Sequence, residues 1–180
     1  RDRLRSRGLG DVYKRQSYLL TPATVCLAIP LYRQISVLKE HAKEVFIGIL
    51  AGVLASMGSI LLMSYLFGLT HEQYVTLLPK SITTAIGMGV SEELGGIQTI
   101  TVAVIIITGV LGNIIAEAVL KIFRIKEPVA KGLAIGTASH AIGTTKALEI
   151  GEIEGAMSSL SVAVAGLMTV ISASIFANMM

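Results

Sequence analysis

Small hydroxyl side chains, helix-breaking residues and single lysines concentrate in two stretches of a chain that is otherwise apolar. The first stretch is PKSITT from residue 79, and the second is TASHAIGTTK from residue 137. A helix that begins inside a membrane presents unpaired backbone N–H groups and the positive end of its dipole to whatever lies beside it. With hydroxyl donors and an ammonium nearby, such a helix end favours the binding of a small carboxylate.

The side chains of these stretches are the candidate binding residues, because polar and ionisable groups are costly to bury in a membrane. A third polar group, Thr21 and Thr24 around Pro22, interrupts an apolar segment nearer the start of the chain. The predicted substrate-binding residues are Thr21, Thr24, Pro79, Lys80, Ser81, Thr83, Thr84, Ser139, His140, Gly143, Thr144, Thr145 and Lys146. His140 is in addition the candidate for proton coupling, because histidine titrates near neutral pH.

Each candidate also has a structural interpretation, and the residues alone leave both open. Serine and threonine within helices often bond back to their own backbone. The two lysines, Lys80 and Lys146, could extend to a membrane surface. His140 could be a hydrogen-bonded core residue.

Enzymatic activity is not expected from this sequence. Ser139 and His140 are neighbours in the chain, whereas a serine nucleophile needs a base beside it in space and a third group to orient that base. The chain has three histidines and one cysteine, too few to suggest a metal site. We therefore predict no catalytic residue, no metal and no cofactor.

The distribution of charge indicates an all-α, polytopic membrane protein. Charged residues make up 15% of the 180 residues, whereas soluble domains contain about 25%. Three runs, residues 45–70, 94–116 and 155–180, contain no Asp, Glu, Lys or Arg, and each exceeds the roughly 18–20 residues of a membrane-spanning helix. The net charge of +3 does not indicate nucleic acid binding, because much of the basic charge precedes residue 17 and most of the rest flanks these runs.

The composition changes abruptly after residue 16. Residues 1–16, RDRLRSRGLGDVYKRQ, are rich in arginine and have no apolar run of the kind that a signal peptide contains. We expect this segment to be a non-native leader, followed by a single transmembrane domain over residues 17–180. The alternative is a basic tail that contacts anionic lipid.

The two polar stretches belong to segments that look like copies of one unit. Ala85-Ile86-Gly87 aligns with Ala141-Ile142-Gly143, and the same shift along the chain aligns Glu93 with Glu149. Paired interruptions in hydrophobic segments are typical of transporters, whose binding sites lie near the middle of the membrane. The sequence therefore predicts an internal repeat with two broken or re-entrant helices, over residues 75–96 and 129–151.

The orientation of the repeat depends on whether the broken segments cross the membrane. Basic residues at 33–43 and at 121–131 indicate the cytoplasmic side. Spans over residues 45–67 and 97–123 then leave the cytoplasm and return to it, so the segment between them must re-enter. One span and one re-entrant segment per unit give inverted copies, which we favour. Segments that crossed fully would give parallel copies.

Three strings in this chain resemble a known family of membrane proteins. TPATVCLAIPLYRQI, LLPKSITTAIGMGVSEELGG and GLAIGTASHAIGTTKALEIGEIEGAMSSL occur in this order. They resemble the LrgB/CidB family of bacterial membrane proteins and the carboxy-terminal half of the plastid glycolate/glycerate translocator. The resemblance extends from about residue 17 to the end. Members of the family usually carry further N-terminal spans, so the resemblance implies that this chain is an N-terminally truncated fragment.

The resemblance implies two alternative functions. One is transport of small monocarboxylates of the pyruvate, glycolate and glycerate class, together with a small LrgA/CidA-type membrane protein. The other is a holin- or antiholin-type regulation of murein hydrolase activity and cell lysis. We favour transport, because a lesion-forming protein has no need of paired broken helices rich in hydroxyls. The expected partners are the carboxylate, the lipid bilayer, the LrgA/CidA-type protein and further copies of the chain, in a bacterial inner (plasma) membrane.

Overall fold

The computed structural model describes residue 29 and residues 32–180, and this part of the chain is all-helical. Outside the described residues lie the predicted leader over residues 1–16 and two of the predicted binding residues, Thr21 and Thr24. The helices of the described part are α1 (Ile35–Glu40), α2 (Ala42–Phe67), α3 (His71–Leu77), α4 (Thr84–Glu93), α5 (Gln98–Ile122), α6 (Pro128–Ile150) and α7 (Glu152–Ala177).

Helices α2, α5 and α7 are long and apolar enough to cross a membrane. They contain 26, 25 and 26 residues, and at about 1.5 Å per residue each is longer than the roughly 30 Å hydrocarbon core of a bilayer. Large apolar side chains remain exposed along them, among them Ile47, Leu62, Ile114 and Ile171. Exposed apolar surface of this extent is suited to acyl chains rather than to water.

The contacts at the helix ends define the directions of these three helices. The Tyr65 hydroxyl, near the end of α2, donates to the Met179 carbonyl just after α7, so α2 and α7 run the same way. The α5 start lies at this side too, because the Ile97 amide donates to Thr76 in α3 at 2.8 Å, and α3 reaches the end of α7 through Tyr74. Helix α5 therefore runs opposite to α2 and α7.

The segment between α2 and α5 folds into a short helical hairpin. A capping box at Thr70 starts α3, and α4 begins at Thr84 after a turn over residues 78–83. The two helices lie side by side, because Thr101 Oγ1 is 2.8 Å from the Thr76 carbonyl in α3 and 2.7 Å from Ser91 Oγ in α4. We call α3, the turn and α4 the first hairpin.

Helix α6 is interrupted at one residue. Pro128 occupies its first turn, where the missing N–H costs nothing. His140 has φ 44° and ψ −144°, far from helical values. The arms on either side pack together, since a Cβ atom on Gly143 would lie 3.2 Å from the Ile135 side chain. The residues before and after the break, 128–139 and 141–150, are called the second hairpin.

The first arm of the second hairpin packs closely on α7 through its own glycines, and the second arm packs on α7 where Leu148 faces Gly155. A Cβ atom on Gly132 would overlap the Glu154 carbonyl, and one on Gly136 would overlap Ser161 Oγ. Small residues at such positions allow helices in a membrane to approach closely. Lys131 and Glu154, whose side chains are largely buried, pair at 3.5 Å where both helices start. Helix α7 is consequently the centre of the bundle, and it supports the second hairpin along its first half.

Candidate functional site

The turn of the first hairpin carries a lysine directed into the protein. Lys80 Nζ donates to Ser81 Oγ at 2.8 Å and to Ser56 Oγ of α2 at 3.4 Å. The two hydroxyls also bond to each other at 3.0 Å. No carboxylate among the described residues lies within 4.0 Å of this ammonium. The positive charge of Lys80 is therefore held by neutral hydroxyls alone, an arrangement suited to an anion.

A small cavity of about 10 Å³ lies beside this cluster. Both hairpins, α2 and α7 contribute to its wall, and the lining residues are Val53, Ser56, Met57, Leu78, Ser81, Ile82, Thr137, Ala165 and Thr169. Thr137 belongs to the second hairpin and stands three residues before its break. A cavity of this size has room for about one water molecule, so both hairpins border one small, mostly apolar space that carries the hydroxyls of Ser56, Ser81, Thr137 and Thr169.

The break in the second hairpin is seated in a groove on α5. His140 is 3% exposed, and its Nε2 lies 2.9 Å from the Ile105 carbonyl. A Cβ atom on Gly109 would be 2.7 Å from the imidazole, and one on Gly112 would overlap Ser139 Oγ. The absence of side chains at these two glycines is what allows the break to approach α5.

Both hairpins contact α5 at the same residue. The Ile105 carbonyl receives the contact from His140, and the Ile105 side chain lies where a Cβ atom on Gly87 of the first hairpin would be. Ile105 itself is fully buried. Ile105 thus lies between the two hairpins and contacts both. A movement of either hairpin would displace this turn of α5.

The threonine after the break faces α7. Thr144 is fully buried, and its Oγ1 lies 2.9 Å from Ser158 Oγ and 3.0 Å from the His140 carbonyl. The second contact supplies a partner to a carbonyl beside the break, where regular helical bonding is interrupted. Thr144 therefore fixes the return arm to α7 and stabilises the break at the same time.

The last two candidates of the second hairpin lie at its outer edge. Asn113 Nδ2 donates to Thr145 Oγ1 at 2.8 Å and to the Ile142 carbonyl at 3.0 Å. Lys146 Nζ pairs with Glu149 at 2.7 Å and with Glu117 of α5 at 3.3 Å. The charge of Lys146 is thus balanced by two carboxylates, unlike that of Lys80.

The predicted residues therefore divide into separate groups. Ser81 lines the cavity and Lys80 bonds to Ser81, whereas Ser139, His140 and Thr144 pack between α5 and α7. The remaining ones support the turns or face outward: Pro79 is buried in the first turn, Thr83 and Thr84 start α4, Gly143 packs between the arms, and Thr145 and Lys146 bind α5.

Thr137 belongs to the second polar stretch but not to the predicted binding set, and three hydroxyls of the long apolar helices, Ser56, Ser158 and Thr169, are also absent from that set. These three lie in runs where small residues also serve helix packing, so their type gives no distinguishing signal. The one feature in the sequence that points to them is that a hydroxyl in an apolar helix needs a hydrogen-bond partner. Within residues 32–180 no group of three or more His, Cys, Asp or Glu side chains could hold a metal ion.

Comparisons with known proteins identify the family. Residues 13–179 match the LrgB-like family. Proteins from Bacillus mycoides (strain KBAB4), Bacillus cereus (strain B4264) and Bacillus anthracis (strain CDC 684 / NRRL 3495), each named antiholin-like protein LrgB, are 40% identical over 158 residues. The aligned region covers 88% of this chain and 69% of each relative. No solved structure matches. Neither the family description nor these names denote an enzyme, and the resemblance seen in the sequence is confirmed: the chain belongs to the LrgB-like family.

Proposed function

We propose that this chain binds a small monocarboxylate inside the membrane, as the substrate-handling subunit of an LrgB-type transporter. One observation carries the proposal. Among the described residues, the ammonium of Lys80 is held only by the hydroxyls of Ser56 and Ser81, and these two serines line a cavity that the second hairpin also lines through Thr137. A single cation with hydroxyl donors at a place where two broken helices meet is the chemistry that a carboxylate requires.

The chemistry of the cluster limits the substrate to a small acid with one charge. One ammonium balances one carboxylate. The Ser81 hydroxyl accepts from Lys80 and Ser56, so its own hydrogen is available to a further oxygen. The cavity of about 10 Å³ is too small for a three-carbon acid. The structure therefore corresponds to a closed conformation of the site. Movement of the hairpins around α5 must open it, as alternating access requires.

We further propose that the chain consists of repeated units, each a span followed by a re-entrant hairpin. The three spanning helices start at Ala42, Gln98 and Glu152, which are almost evenly spaced along the chain. The shift that superposes Ala42 on Gln98 also superposes Thr84, the start of α4, on the break at His140. This coincidence of helix starts and interruptions supports a repeat of span and hairpin.

The contacts at the ends of the hairpins support inverted copies. Thr76 and Ser91 of the first hairpin approach each other at one side of the bundle through Thr101. Lys131 and Ile150, at the two ends of the second hairpin, line one cavity at the other side. Each hairpin then enters and leaves the membrane from a single side, and the two sides are opposite.

A second candidate function is antiholin-like control of cell lysis. The relatives at 40% identity are named antiholin-like protein LrgB, and these names support this function more directly than they support transport. In both cases we propose an LrgA/CidA-type membrane protein as partner and the inner (plasma) membrane of a bacterium as location. The two functions differ in whether a specific substrate saturates the flux.

Uptake of labelled pyruvate or glycolate into vesicles that contain the chain and an LrgA/CidA-type partner tests the proposal. Ser56→Ala should lower the rate of uptake roughly 10-fold, because a hydrogen bond to a charged group contributes about 1.5–3 kcal/mol. Ser59→Ala is the matched control. Ser59 lies one turn further along α2 and bonds to the Ser56 carbonyl, so its replacement should leave uptake unchanged.

Antiholin-like function predicts a different result. Release of an entrapped dye that does not saturate with substrate, and that ignores both serine variants, would favour control of lysis. Equal losses of uptake in Ser56→Ala and Ser59→Ala would instead show that packing of α2, rather than the Lys80 cluster, limits the flux.

A further inference from the structure

A cavity of about 400 Å³ lies at the opposite end of α5 from the first hairpin. The end of α5, the linker to α6 and both ends of the second hairpin contribute to it. Its lining residues are Glu117, Leu120, Lys121, Arg124, Ile125, Lys126, Lys131 and Ile150. Four cations and one carboxylate thus surround three apolar side chains, so the cavity combines a basic rim with an apolar floor.

Two of the four cations have no counter-ion among the described residues. Lys121 pairs with Glu117 at 3.7 Å, and Lys131 pairs with Glu154 at 3.5 Å. For Arg124 and Lys126, no carboxylate within residues 32–180 lies closer than 4.0 Å. The rim therefore carries uncompensated positive charge at the end of a spanning helix.

The backbone at Arg124 gives an independent indication. Its φ is 54°, in the turn that ends α5, where the Ile125 amide bonds to the Leu120 carbonyl at 2.9 Å. This left-handed position of a helix end is usually occupied by glycine, because a Cβ atom is unfavourable there. An arginine at such a place suggests that its side chain serves a purpose other than folding.

We propose that this cavity binds the headgroup of an anionic phospholipid. Arg124 and Lys126 would bind the phosphate, and Leu120, Ile125 and Ile150 would contact the start of an acyl chain. The basic residues of this region predict the cytoplasmic side of the membrane, where anionic lipids attract basic pockets between helices. Because the cavity includes both ends of the second hairpin, a bound lipid would also hold that hairpin on α5.

Native mass spectrometry of the purified 180-residue chain tests the proposal, with phosphatidylglycerol or phosphatidylcholine titrated in detergent. The chain should retain one phosphatidylglycerol in preference to phosphatidylcholine. Arg124→Gln combined with Lys126→Gln should weaken this retention roughly 25-fold, because each cation near an anionic lipid surface contributes about fivefold in affinity. The matched control is Lys39→Gln with Lys43→Gln, which removes two exposed cations outside the cavity.

Arg124→Gly separates lipid binding from folding. Without lipid it should melt at the same temperature as the unchanged chain or higher, because glycine suits the left-handed position, and it should lose most of the stabilisation by phosphatidylglycerol. Three results would overturn the proposal. They are equal weakening by the Lys39/Lys43 pair, equal retention of phosphatidylcholine, and full replacement of the lipid effect by soluble glycerol 3-phosphate.

Discussion

Lys80→Met should abolish saturable uptake of pyruvate and glycolate, lowering the rate roughly 100-fold. Methionine preserves most of the length of the side chain and removes the charge that Ser56 and Ser81 hold beside the cavity. The loss corresponds to about 3 kcal/mol, the upper range for a hydrogen bond to a charged group. Initial uptake rates in vesicles measure the effect, and the amount of folded protein in the same vesicles corrects for expression.

Two further variants identify the origin of this loss. Lys80→Gln keeps a hydrogen-bond donor without the charge, so it should be nearly as inactive as Lys80→Met. Lys43→Met removes an exposed lysine at the start of α2 and should retain full uptake. Substantial saturable uptake by Lys80→Met would mean that the carboxylate binds elsewhere.

Gly112→Ala should destabilise the chain by about 2–3 kcal/mol, as overpacking of a tight helix contact does. A Cβ atom on Gly112 would overlap Ser139 Oγ and lie 2.6 Å from Ser139 Cβ. Relief requires the break at His140 to move away from α5, which also lengthens the contact of the imidazole with the Ile105 carbonyl. Unfolding in mixed detergent micelles measures the change.

Gly58→Ala provides the matched control for this prediction. Gly58 lies in α2, and apart from the backbone of α2 no atom of residues 32–180 lies within 4 Å of a Cβ placed there. Alanine should therefore stabilise this helix by about 0.5–1 kcal/mol, through its higher helix propensity. The two glycine-to-alanine changes are expected to have opposite signs. A stabilising Gly112→Ala would contradict the close seating of the second hairpin on α5.

The spanning helices could be predicted from the sequence because their signal is long and local. The uncharged run over residues 45–70 contains most of α2 (Ala42–Phe67), and that over residues 155–180 contains most of α7 (Glu152–Ala177). Exclusion of charge over such lengths has few explanations other than a membrane. The helix start at Pro128 was equally predictable, because proline suits the first turn of a helix.

The sequence predicts a break somewhere within residues 129–151, but it does not predict that the break lies at His140. Neither proline nor glycine occupies position 140, and glycines occur on both sides of it. What selects the position is tertiary, namely the Ile105 carbonyl that the imidazole approaches and the groove at Gly109 and Gly112. A single sequence does not reveal this pairing of two segments that are distant along the chain.

The sequence also could not predict that the polar residues divide into separate groups. Lys80 precedes Ser81 and Lys146 follows two threonines, yet within residues 32–180 only Lys146 has carboxylates within 4.0 Å. One of these, Glu149, is local at i+3, whereas Glu117 comes from α5. Ser56 reaches the cavity because α2 packs beside the first hairpin, a contact that composition does not reveal.

Substrate protection of two engineered cysteines tests most directly whether both hairpins border one carboxylate site. Ser81→Cys and Thr137→Cys are made separately, each with Cys26→Ser to remove the native thiol, and their labelling by a small maleimide is followed in vesicles as pyruvate is added. We predict that pyruvate slows labelling at both positions with the same half-maximal concentration, since one cavity contains both side chains. Labelling that pyruvate leaves unchanged, or slows at only one of the two positions, would contradict a shared site.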